Sequence, residues 1–225
     1  MQIAVIVPCL NEAERITATL TPLQTLRQQG HQVIVVDGGS DDNSVELAKL
    51  LADQVVSSER GRAQQMNHGA SLSSADVLLF LHADTLLPDD AANITTTALD
   101  NSQKKWGRFD VRLSGQHMWL RIIEFMMNQR SRLTGIATGD QAMFVLREIF
   151  QQAGQFPDIQ LMEDVALSKR LKHFSSPVCL KQRVITSSRR WENQGFWRTI
   201  TLMWKLRLAY FLGVDPDQLK QQYDT

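Results

Sequence analysis

Short apolar runs that end in polar turn residues recur through the first half of the chain. Residues 3–7 are wholly apolar, which predicts a strand covered on both faces of a sheet. Residues 33–36 and 77–81 repeat this pattern, and 55–56 predict a shorter strand. Because helical patterns separate these runs, the sequence predicts a mainly parallel sheet with right-handed crossovers and with 77–81 at its centre.

Helical spacing of apolar residues lies between the strands. Asn11, with Glu14 three residues later, predicts an N-cap and capping box for the first helix. Pro22 lies inside that helical pattern and predicts a kink or two short helices. Similar spacing predicts helices near 45–51 and over 62–72.

The second half of the chain is patterned less regularly. The same criteria predict strands over 106–113, 142–146, 178–180 and 184–185, and helices over 118–133, 147–153, 164–172 and 195–212. No repeat, low-complexity tract or linker divides the sequence. We therefore expect one domain, 1–225, whose second half, from about 106, folds over the first, about 1–105.

Composition excludes some classes of protein. Hydrophobic residues make up 43% of the 225 residues, and 24 basic side chains balance 24 acidic ones. This balance argues against a general nucleic-acid binder. Cys9 and Cys179 lack metal-ligand spacing, which predicts reduced thiols in a cytoplasmic protein. The sequence shows no secretory leader and no run near the ~20 apolar residues of a membrane span, so membrane contact is expected only peripherally, at the inner face.

Polar clusters follow three of the predicted strands, at residues 8–12, 37–42 and 82–84. In parallel sheets, ligands bind where the carboxyl ends of the strands meet. The Asp37 carboxylate is suited to accept a hydrogen bond from a base or ribose, although a plain turn with a helix cap is the more common meaning of such Gly/Asp/Ser residues. Asp84 is suited to hold a hard divalent cation against a diphosphate, or else to cap a helix or pair with a basic side chain.

Two further pairs carry potential chemistry. Glu163 and Asp164 open a helix, where carboxylates gain from the helix dipole; the functional alternative is a general base with a tuned pKa. Arg189 and Arg190 precede Trp191 and form either a diphosphate clamp or a solvated turn. Neither a GxGxxG nor a GxxxxGK[ST] motif occurs in the sequence.

Six motifs stand in a characteristic order: IVPCLNE, VVDGGSDDNS, GRAQQMNHGA, LFLHADT, TGDQAMFVLREIFQQAGQF and MEDVALSKRL. In this order, over about 3–171, the sequence resembles the family 2 glycosyltransferases, especially short single-domain members with an LHADT-type motif. The resemblance implies a GT-A fold, an α/β/α sandwich whose mainly parallel central sheet has a Rossmann-like half for a nucleoside diphosphate sugar. It also implies transfer of a hexosyl group to an acceptor hydroxyl with inversion.

The resemblance further implies roles for particular residues. Asp164 matches the general base, with Glu163 beside it, and Asp84 matches the ligand of Mn²⁺ or Mg²⁺ on the diphosphate. The first position of that DxD motif is His82 here, which makes metal dependence less certain. The positions that match the nucleotide-sugar site are Pro8, Asn11, Glu12, Asp37, Ser40, Asp42, Arg62, Asn67, His82, Asp84 and Arg190.

The acceptor is not identified by the sequence, and the second half is expected to bind it. Large apolar groups crowd 118–127 and 196–211, which favours core packing or a homodimer interface over a membrane-surface or lipid-acceptor role. A non-catalytic nucleotide-sugar-binding or scaffold protein is the alternative to an enzyme. A nucleotidyltransferase would show a Gly-rich basic loop after the first strand, and PCLNEAER lacks one.

Overall fold

One mixed β-sheet runs through both halves of the chain in the computed structural model, which describes residues 1–224. Its strands, in chain order, are β1 Ile3–Cys9, β2 Gln32–Asp37, β3 Gln54–Ser57, β4 Val77–Phe80, β5 Thr85–Leu86, β6 Trp106–Leu113, β7 Phe144–Leu146 and β8 Val178–Thr186. The spatial order is β3-β2-β1-β4-β7-β6-β8-β5. The first four positions are parallel, as are β6 and β8, whereas β7 runs antiparallel to β4 and β6. The predicted mainly parallel α/β sheet is confirmed.

Helices cover both faces of this sheet. They are α1 Ala13–Leu20, α2 Gln24–Gln28, α3 Ser44–Lys49, α4 Arg62–Ser71, α5 Ala91–Ser102, α6 Met118–Thr134, α7 Arg147–Gln152, α8 Glu163–Leu171, α9 Arg189–Gln194, α10 Phe196–Phe211 and α11 Pro216–Asp224. A 3₁₀ turn occupies Gly139–Gln141. Alternate residues of β1 enter two separate cores, one with α1, α3, α5 and α6 and the other with α4, α7 and α8. The layers therefore form the predicted α/β/α sandwich.

The N-terminal helix begins differently from the prediction. Pro22 does separate two short helices, α1 and α2, as predicted. The N-cap of α1 is Glu12, without a side-chain cap bond, so the predicted Asn11 capping box is wrong. Asn11 instead has a φ of 54°, a left-handed conformation that asparagine tolerates better than most residues. Its side chain then reaches the neighbouring loop rather than the helix.

Several elements, most of them in the second half, escaped the sequence pattern. The two short strands predicted within 178–185 are one strand, β8, because both ends of β8 pair with β6, on either side of a register shift between Arg108 and Asp110. Helices α5, α9 and α11 were not predicted. Of these, α9 has no buried residue, so its sequence carries no apolar face to detect.

A polar network fixes α6 on the sheet. Arg132 forms two hydrogen bonds to the carboxylate of Asp110, at 2.7 and 2.8 Å, and Arg108 contacts the same carboxylate. Asn128 accepts a bond from the N–H of Val111 (2.9 Å) and donates one to its carbonyl (3.0 Å). Paired in this way, buried polar groups hold the helix in one position.

The outer faces of α6 and α10 are exposed. Trp197 and Phe211 are 64% and 61% exposed, and Phe125 is 63% exposed, so core packing as the explanation for these side chains is wrong. The inner side of α10 packs on α11 in a third core that includes Leu206 and Leu219. Within residues 1–224, no helix combines the length and apolarity that a membrane crossing requires.

Candidate active site

A cleft of about 880 Å³ opens at the carboxyl ends of β1 and β4. Its floor comes from these strands, and α6, α9, α10 and α11 supply the opposite wall. This is the edge at which open parallel sheets bind ligands. The predicted site residues that line the cleft are Pro8, Glu12, Arg62, His82, Asp84 and Arg190.

Other predicted residues brace the loops beside the cleft. The buried Asp37 carboxylate accepts hydrogen bonds from the N–H groups of Gly39 and Ser40, both at 3.0 Å, and from the Ser40 hydroxyl at 2.5 Å. Ser40 Oγ in turn accepts a bond from the Asn11 N–H, and Asn11 Oδ1 accepts one from the Asp41 N–H, each at 2.9 Å. Both oxygens of Asp37 are engaged within this turn, and its contact with a nucleobase stays a prediction.

Asp42 links the same two loops. It accepts bonds from the hydroxyl of Ser44 (2.5 Å) and the N–H of Ala13 (3.1 Å), and the Ser44 bond lowers the pKa of Asp42. Ser44 Oγ also accepts a bond from the N–H of Glu12 at 2.8 Å. Asp42 and Ser44 therefore fix the position from which Glu12 enters the cleft.

Gln65 is a site residue that the sequence reasoning missed. Its buried amide donates to the carbonyls of Cys9 and Val36, both at 2.8 Å, and so joins the ends of β1 and β2. A Cβ at Gly38 would lie 3.1 Å from this amide, so the glycine allows the side chain to pass beneath the loop. The sequence carries no signal for this role, because the role depends on the position of Gln65 opposite the ends of β1 and β2 in the fold.

Glu12 and Asp84 bring two carboxylates to the cleft. Burial raises the pKa of Glu12, and the charge of Asp84 raises it further. Asp84 accepts one long bond, from the Thr85 hydroxyl at 3.3 Å, and forms no ion pair with any residue in 1–224. That described part also holds no group of three His, Cys, Asp or Glu side chains that could cage a metal ion. The donor set fits an ion that takes one protein carboxylate and completes its shell with phosphate oxygens and water.

His82 connects the cleft to a smaller cavity behind it. Its Nδ1 lies 3.6 Å from a carboxylate oxygen of Asp140, and the two residues line the cleft together. Burial would raise the pKa of Asp140, but His82 together with the charges of Arg62 and Arg207 outweighs burial and lowers this pKa. A Cβ at Gly139 would collide with the His82 ring. Asp140 lies in the TGDQ segment of the fifth motif, but the sequence did not predict it as a site residue.

Asp164 lies at this smaller cavity and not in the main cleft. The cavity, about 10 Å³, is bordered by His82, Gly139, Glu163 and Asp164. Asp164 accepts hydrogen bonds from the N–H of Gly139 (2.8 Å) and of Val165 (2.6 Å). These two bonds fix the carboxylate beside His82.

Glu163, in contrast, is 5% exposed. Burial raises the pKa of Glu163 to about 7, and the adjacent charge of Asp164 adds to the effect. The positive charge of Arg62 opposes this shift. Glu163 therefore places a carboxyl group with a raised pKa directly beside Asp164, and strongly shifted carboxyl groups are frequent at sites of acid–base chemistry.

Arginines supply the positive charge of the cleft. Burial lowers the pKa of Arg62, but the carboxylates of Glu163, Asp140 and Asp164 outweigh it and raise the pKa. Arg190 donates a hydrogen bond of 2.7 Å to the carbonyl of Tyr223 and stacks 3.4 Å from the centre of its ring. This contact ties α9 to α11 and holds Arg190 in the cleft wall.

Asn67 lies away from the cleft. Its side-chain amide donates to the carbonyl of Phe156 (2.9 Å) and accepts from the same residue's N–H (3.1 Å). Its contact with the donor stays a prediction. On the same helix, a Cβ at Gly69 would lie 2.6 Å from Ile6 and 2.9 Å from Val36, so this glycine lets α4 approach the sheet closely.

The fold and this cleft together define a glycosyltransferase of the GT-A type. The chain belongs to glycosyl transferase family 2, whose family model matches residues 4–153. The family predicted from the motifs is confirmed, and with it the class of enzyme, a transferase.

Solved structures with the same fold include TarS 1-349 from S. aureus, at a TM-score of 0.69 and 16% identity, covering 84% of this chain and 61% of that one. They also include the mannosyltransferase PcManGT from Pyrobaculum calidifontis in complex with GDP-Man and Mn²⁺, at a TM-score of 0.61 and 20% identity, covering 82% and 56% of the two chains. At such identities the likeness concerns the fold alone.

Curated relatives are longer proteins. A poly-beta-1,6-N-acetyl-D-glucosamine synthase of Staphylococcus epidermidis is 23% identical over 244 residues, 99% of this chain and 57% of the relative. The synthase of Staphylococcus aureus (strain COL) is 30% identical over 95 residues, 40% of this chain and 23% of the relative. The chain thus spans only part of the length of either synthase.

Proposed function

We propose that this chain transfers a sugar from a nucleoside diphosphate sugar to an acceptor hydroxyl, with inversion at the anomeric carbon. The observation that carries the proposal is the position of His82, which borders both the cleft that holds Asp84 and the cavity that holds Asp164. A carboxylate suited to the diphosphate side and one suited to the acceptor side thereby lie on either side of one imidazole.

The donor is assigned to the half of the cleft formed by residues 1–105. Arg62 of that half and Arg190, which lines the cleft from α9 in the second half, supply guanidinium groups suited to a diphosphate, and the loops braced by Asp37 and Asp42 are assigned to the nucleoside. TarS has been solved with UDP and with UDP-GlcNAc, and PcManGT with GDP-Man. These complexes support a nucleotide-sugar donor for this chain.

A divalent cation, Mn²⁺ or Mg²⁺, is assigned to Asp84. When bound, it would neutralise the charge that develops on the leaving diphosphate. Asp84 lacks a cationic partner in residues 1–224, and the Mn²⁺ in the PcManGT complex supports a metal here as well.

Asp164 is assigned as the general base. Acceptor hydroxyl groups have pKa values far above neutral, so a carboxylate must take the proton as the oxygen attacks. The new bond forms from the acceptor oxygen to the anomeric carbon, the bond to the diphosphate breaks on the opposite face, and the proton passes to Asp164. Glu163 remains beside it as a proton-sensitive neighbour.

The test combines nucleotide binding and turnover in the same samples. We expect release of nucleoside diphosphate from UDP- or GDP-sugars with Mn²⁺ and an acceptor mixture, and we expect Asp164→Asn to reduce turnover by about 100-fold or more while nucleotide binding persists. Asp100→Asn, at an exposed position on α5, is the matched control. Binding without turnover in the wild-type chain would instead favour a non-catalytic nucleotide-sugar-binding protein, and no binding of any nucleotide would refute the proposal.

An anionic membrane surface is proposed as a partner of the exposed helices. Met118, Ile122 and Phe125 form one apolar stripe on α6, and Trp197, Trp204, Leu208 and Phe211 form one on α10; all are exposed. Trp119 and Trp197 join the stripes, with ring centroids 5.2 Å apart.

The charges around these stripes favour a lipid surface. Helices α6 and α10 carry six basic residues and a single acidic one, Glu124, which is buried and accepts a bond from the Leu113 N–H. A surface of aromatic side chains with basic neighbours matches the interface of an anionic bilayer. A location at the inner face of the membrane is consistent with this partner, and a homodimer is the competing outcome of the test.

A further inference from the structure

Helices α6 and α10 present the same pattern of side chains to the cleft. From α6 the lining residues are Ile123, Met126, Met127 and Arg130; from α10, besides the buried Thr199, they are Ile200, Met203, Trp204 and Arg207. Both sets stand at i, i+3, i+4 and i+7, the spacing of one helical face. Each set therefore spans about 10 Å along its helix, with the apolar side chains over the first ~6 Å and an arginine at its C-terminal end.

The two arginines are not satisfied by the protein. Nε and Nη2 of Arg130 and Nε of Arg207 are buried without a hydrogen-bond partner in residues 1–224. Neither guanidinium forms an ion pair with a carboxylate of that described part. By contrast, Arg132, which neighbours Arg130 in α6, has two bonds to Asp110. Buried guanidinium donors without partners are unusual and indicate that a ligand supplies the acceptors.

The lowered pKa values of the two arginines also indicate a site for an anion. Burial lowers the pKa of Arg130 to about 10, and the like charge of Arg207 contributes to this. Burial likewise lowers the pKa of Arg207. Two neighbouring guanidinium groups that are partly removed from water are stabilised by an anion placed between them.

We propose that Arg130 and Arg207 bind an oxyanion, a phosphate or a carboxylate, on the acceptor, and that the apolar walls of α6 and α10 hold an apolar portion of the same molecule. This rests on the proposed transferase function and specifies its acceptor as an anionic amphiphile. The planar donor fork of arginine matches both kinds of oxyanion, with two parallel bonds to each.

The position of the pair separates it from the donor side. Arg130 and Arg207 lie on helices of the second half. The charges of Asp164 and Asp140 raise the pKa of both arginines and so partly offset the effect of burial. The apolar residues of each wall lie toward the helix N-termini, where Trp119 meets Trp197. The anion is therefore placed next to the proposed base, and the apolar portion extends toward the exposed stripes.

Short-chain probes test this site without knowledge of the natural acceptor. Octyl phosphate, octanoate, octanol and inorganic phosphate are titrated by calorimetry into the chain, with and without saturating UDP. We expect octyl phosphate or octanoate to bind in both cases, octanol and inorganic phosphate to bind more weakly, and the better-bound octyl anion to identify the oxyanion. Arg130→Gln with Arg207→Gln should weaken that binding about tenfold or more.

The controls distinguish this site from the donor site and from misfolding. Arg112→Gln, an exposed position outside the cleft, should leave octyl anion binding unchanged, and thermal unfolding verifies that each variant is folded. The proposal is overturned if neither octyl anion binds, if the double variant binds as the wild type does, or if UDP displaces the probe. A loss of UDP binding in the double variant would also overturn it, by assigning the arginines to the donor. Absence of UDP binding in the wild-type chain with octyl anion binding retained would refute only the donor assignment.

Discussion

Asp84 and Glu12 illustrate how one residue sets the properties of another in this cleft. Asp84 carries a charge without a counter-ion in residues 1–224, and part of that charge is felt as a raised pKa at Glu12. A cation on Asp84 would relieve this repulsion. A metal ion fits at this position because the Asp84 carboxylate has no cationic partner in residues 1–224, although that part of the chain offers no cage of three protein ligands.

Replacing Asp84 by Asn tests the metal assignment. We expect Mn²⁺ to strengthen UDP binding in the wild type but not in Asp84→Asn, because the neutral amide is a weak ligand for a hard cation. Sugar transfer should fall by about 100-fold or more. Calorimetric titration of UDP with and without Mn²⁺ measures the first effect. Asp89→Asn, at an exposed position five residues away, should behave as the wild type; an equal Mn²⁺ effect in Asp84→Asn would refute the assignment.

The raised pKa of Glu163 predicts that the stability of the folded chain depends on pH. Its pKa is raised from 4.5 to about 7 in the folded chain, so the folded state binds more protons than the unfolded state between these values. The free energy of unfolding therefore falls as the pH rises through this window. Glu163→Gln should remove that fall, leaving the variant more stable than the wild type at pH 8 by on the order of 2 kcal/mol and similar to it at pH 4.

Urea unfolding at several pH values measures the difference between the two chains. Glu148→Gln, an exposed carboxylate on α7, is the matched control. If the difference between Glu163→Gln and the wild type were the same at pH 4 and pH 8, the burial of a proton-binding Glu163 would be disproved.

The residues on the donor side could be predicted because the sequence shows where each apolar strand ends and which polar residues follow it. Asp84 and His82 directly follow the apolar strand pattern, so their place at the sheet edge could be inferred. Asp140, Gln65 and Arg130 lie in helices and turns, where helix polarity alone does not reveal which side chains face a cleft. Their roles came only from the packing of distant elements.

At the scale of elements, α4 shows how a single small residue sets a packing distance. Gly69 faces Ile6 and Val36 across the helix–sheet contact, and no side chain fits between them. The motif that contains Gly69 was associated with the donor, yet the residue lies outside the cleft lining.

Gly69→Ala should destabilise the fold. The added methyl overlaps buried β-branched side chains at 2.6 and 2.9 Å, and the strain exceeds the gain in helix propensity of about 1 kcal/mol. We expect a net loss of about 1–2 kcal/mol in the free energy of unfolding, measured by urea denaturation. Ser71→Ala, exposed on the same helix, should change stability by less than about 0.5 kcal/mol. A Gly69→Ala chain as stable as the wild type would show that α4 can shift outward freely.

Strand β8 and helix α11 mark the limit of element prediction. Apolar periodicity detects a strand only where one face is buried throughout, and the centre of β8 is polar and exposed. Helix α11 is short, and what fixes it is the Arg190–Tyr223 stack and its core contact with α10. Both depend on partners far away in the sequence.

At the scale of the whole molecule, the exposed stripes of α6 and α10 leave one side of the protein apolar. Soluble monomers seldom expose so many large apolar side chains in one continuous surface. The same helices also line the cleft, and Trp204 belongs both to the exposed stripe of α10 and to the cleft lining. A bilayer contact would therefore bring an amphiphilic acceptor close to the proposed base.

Vesicle binding tests whether the exposed stripes of α6 and α10 together contact a membrane surface. We expect the chain to co-sediment with vesicles containing phosphatidylglycerol more than with neutral phosphatidylcholine vesicles, and less at high salt. Trp197→Ser with Phe211→Ser should reduce binding about tenfold, because two buried aromatic groups are lost from the interface. Leu50→Ser, 77% exposed outside both helices, is the control. A dimer that is disrupted by the same double variant, with no vesicle binding, would show that a second copy covers the surface.

The sequence by itself determined the layered α/β fold, the family and the carboxylates at the strand ends, because these follow from local periodicity and from motifs that are continuous in the chain. It also placed large apolar groups on α6 and α10, but it did not tell which of them face solvent. The tertiary structure decided that, since exposure depends on which other elements cover a helix. Packing alone brought Arg130 and Arg207 to the same wall of the cleft, 77 positions apart in the sequence, and left their guanidinium groups without partners in the described chain.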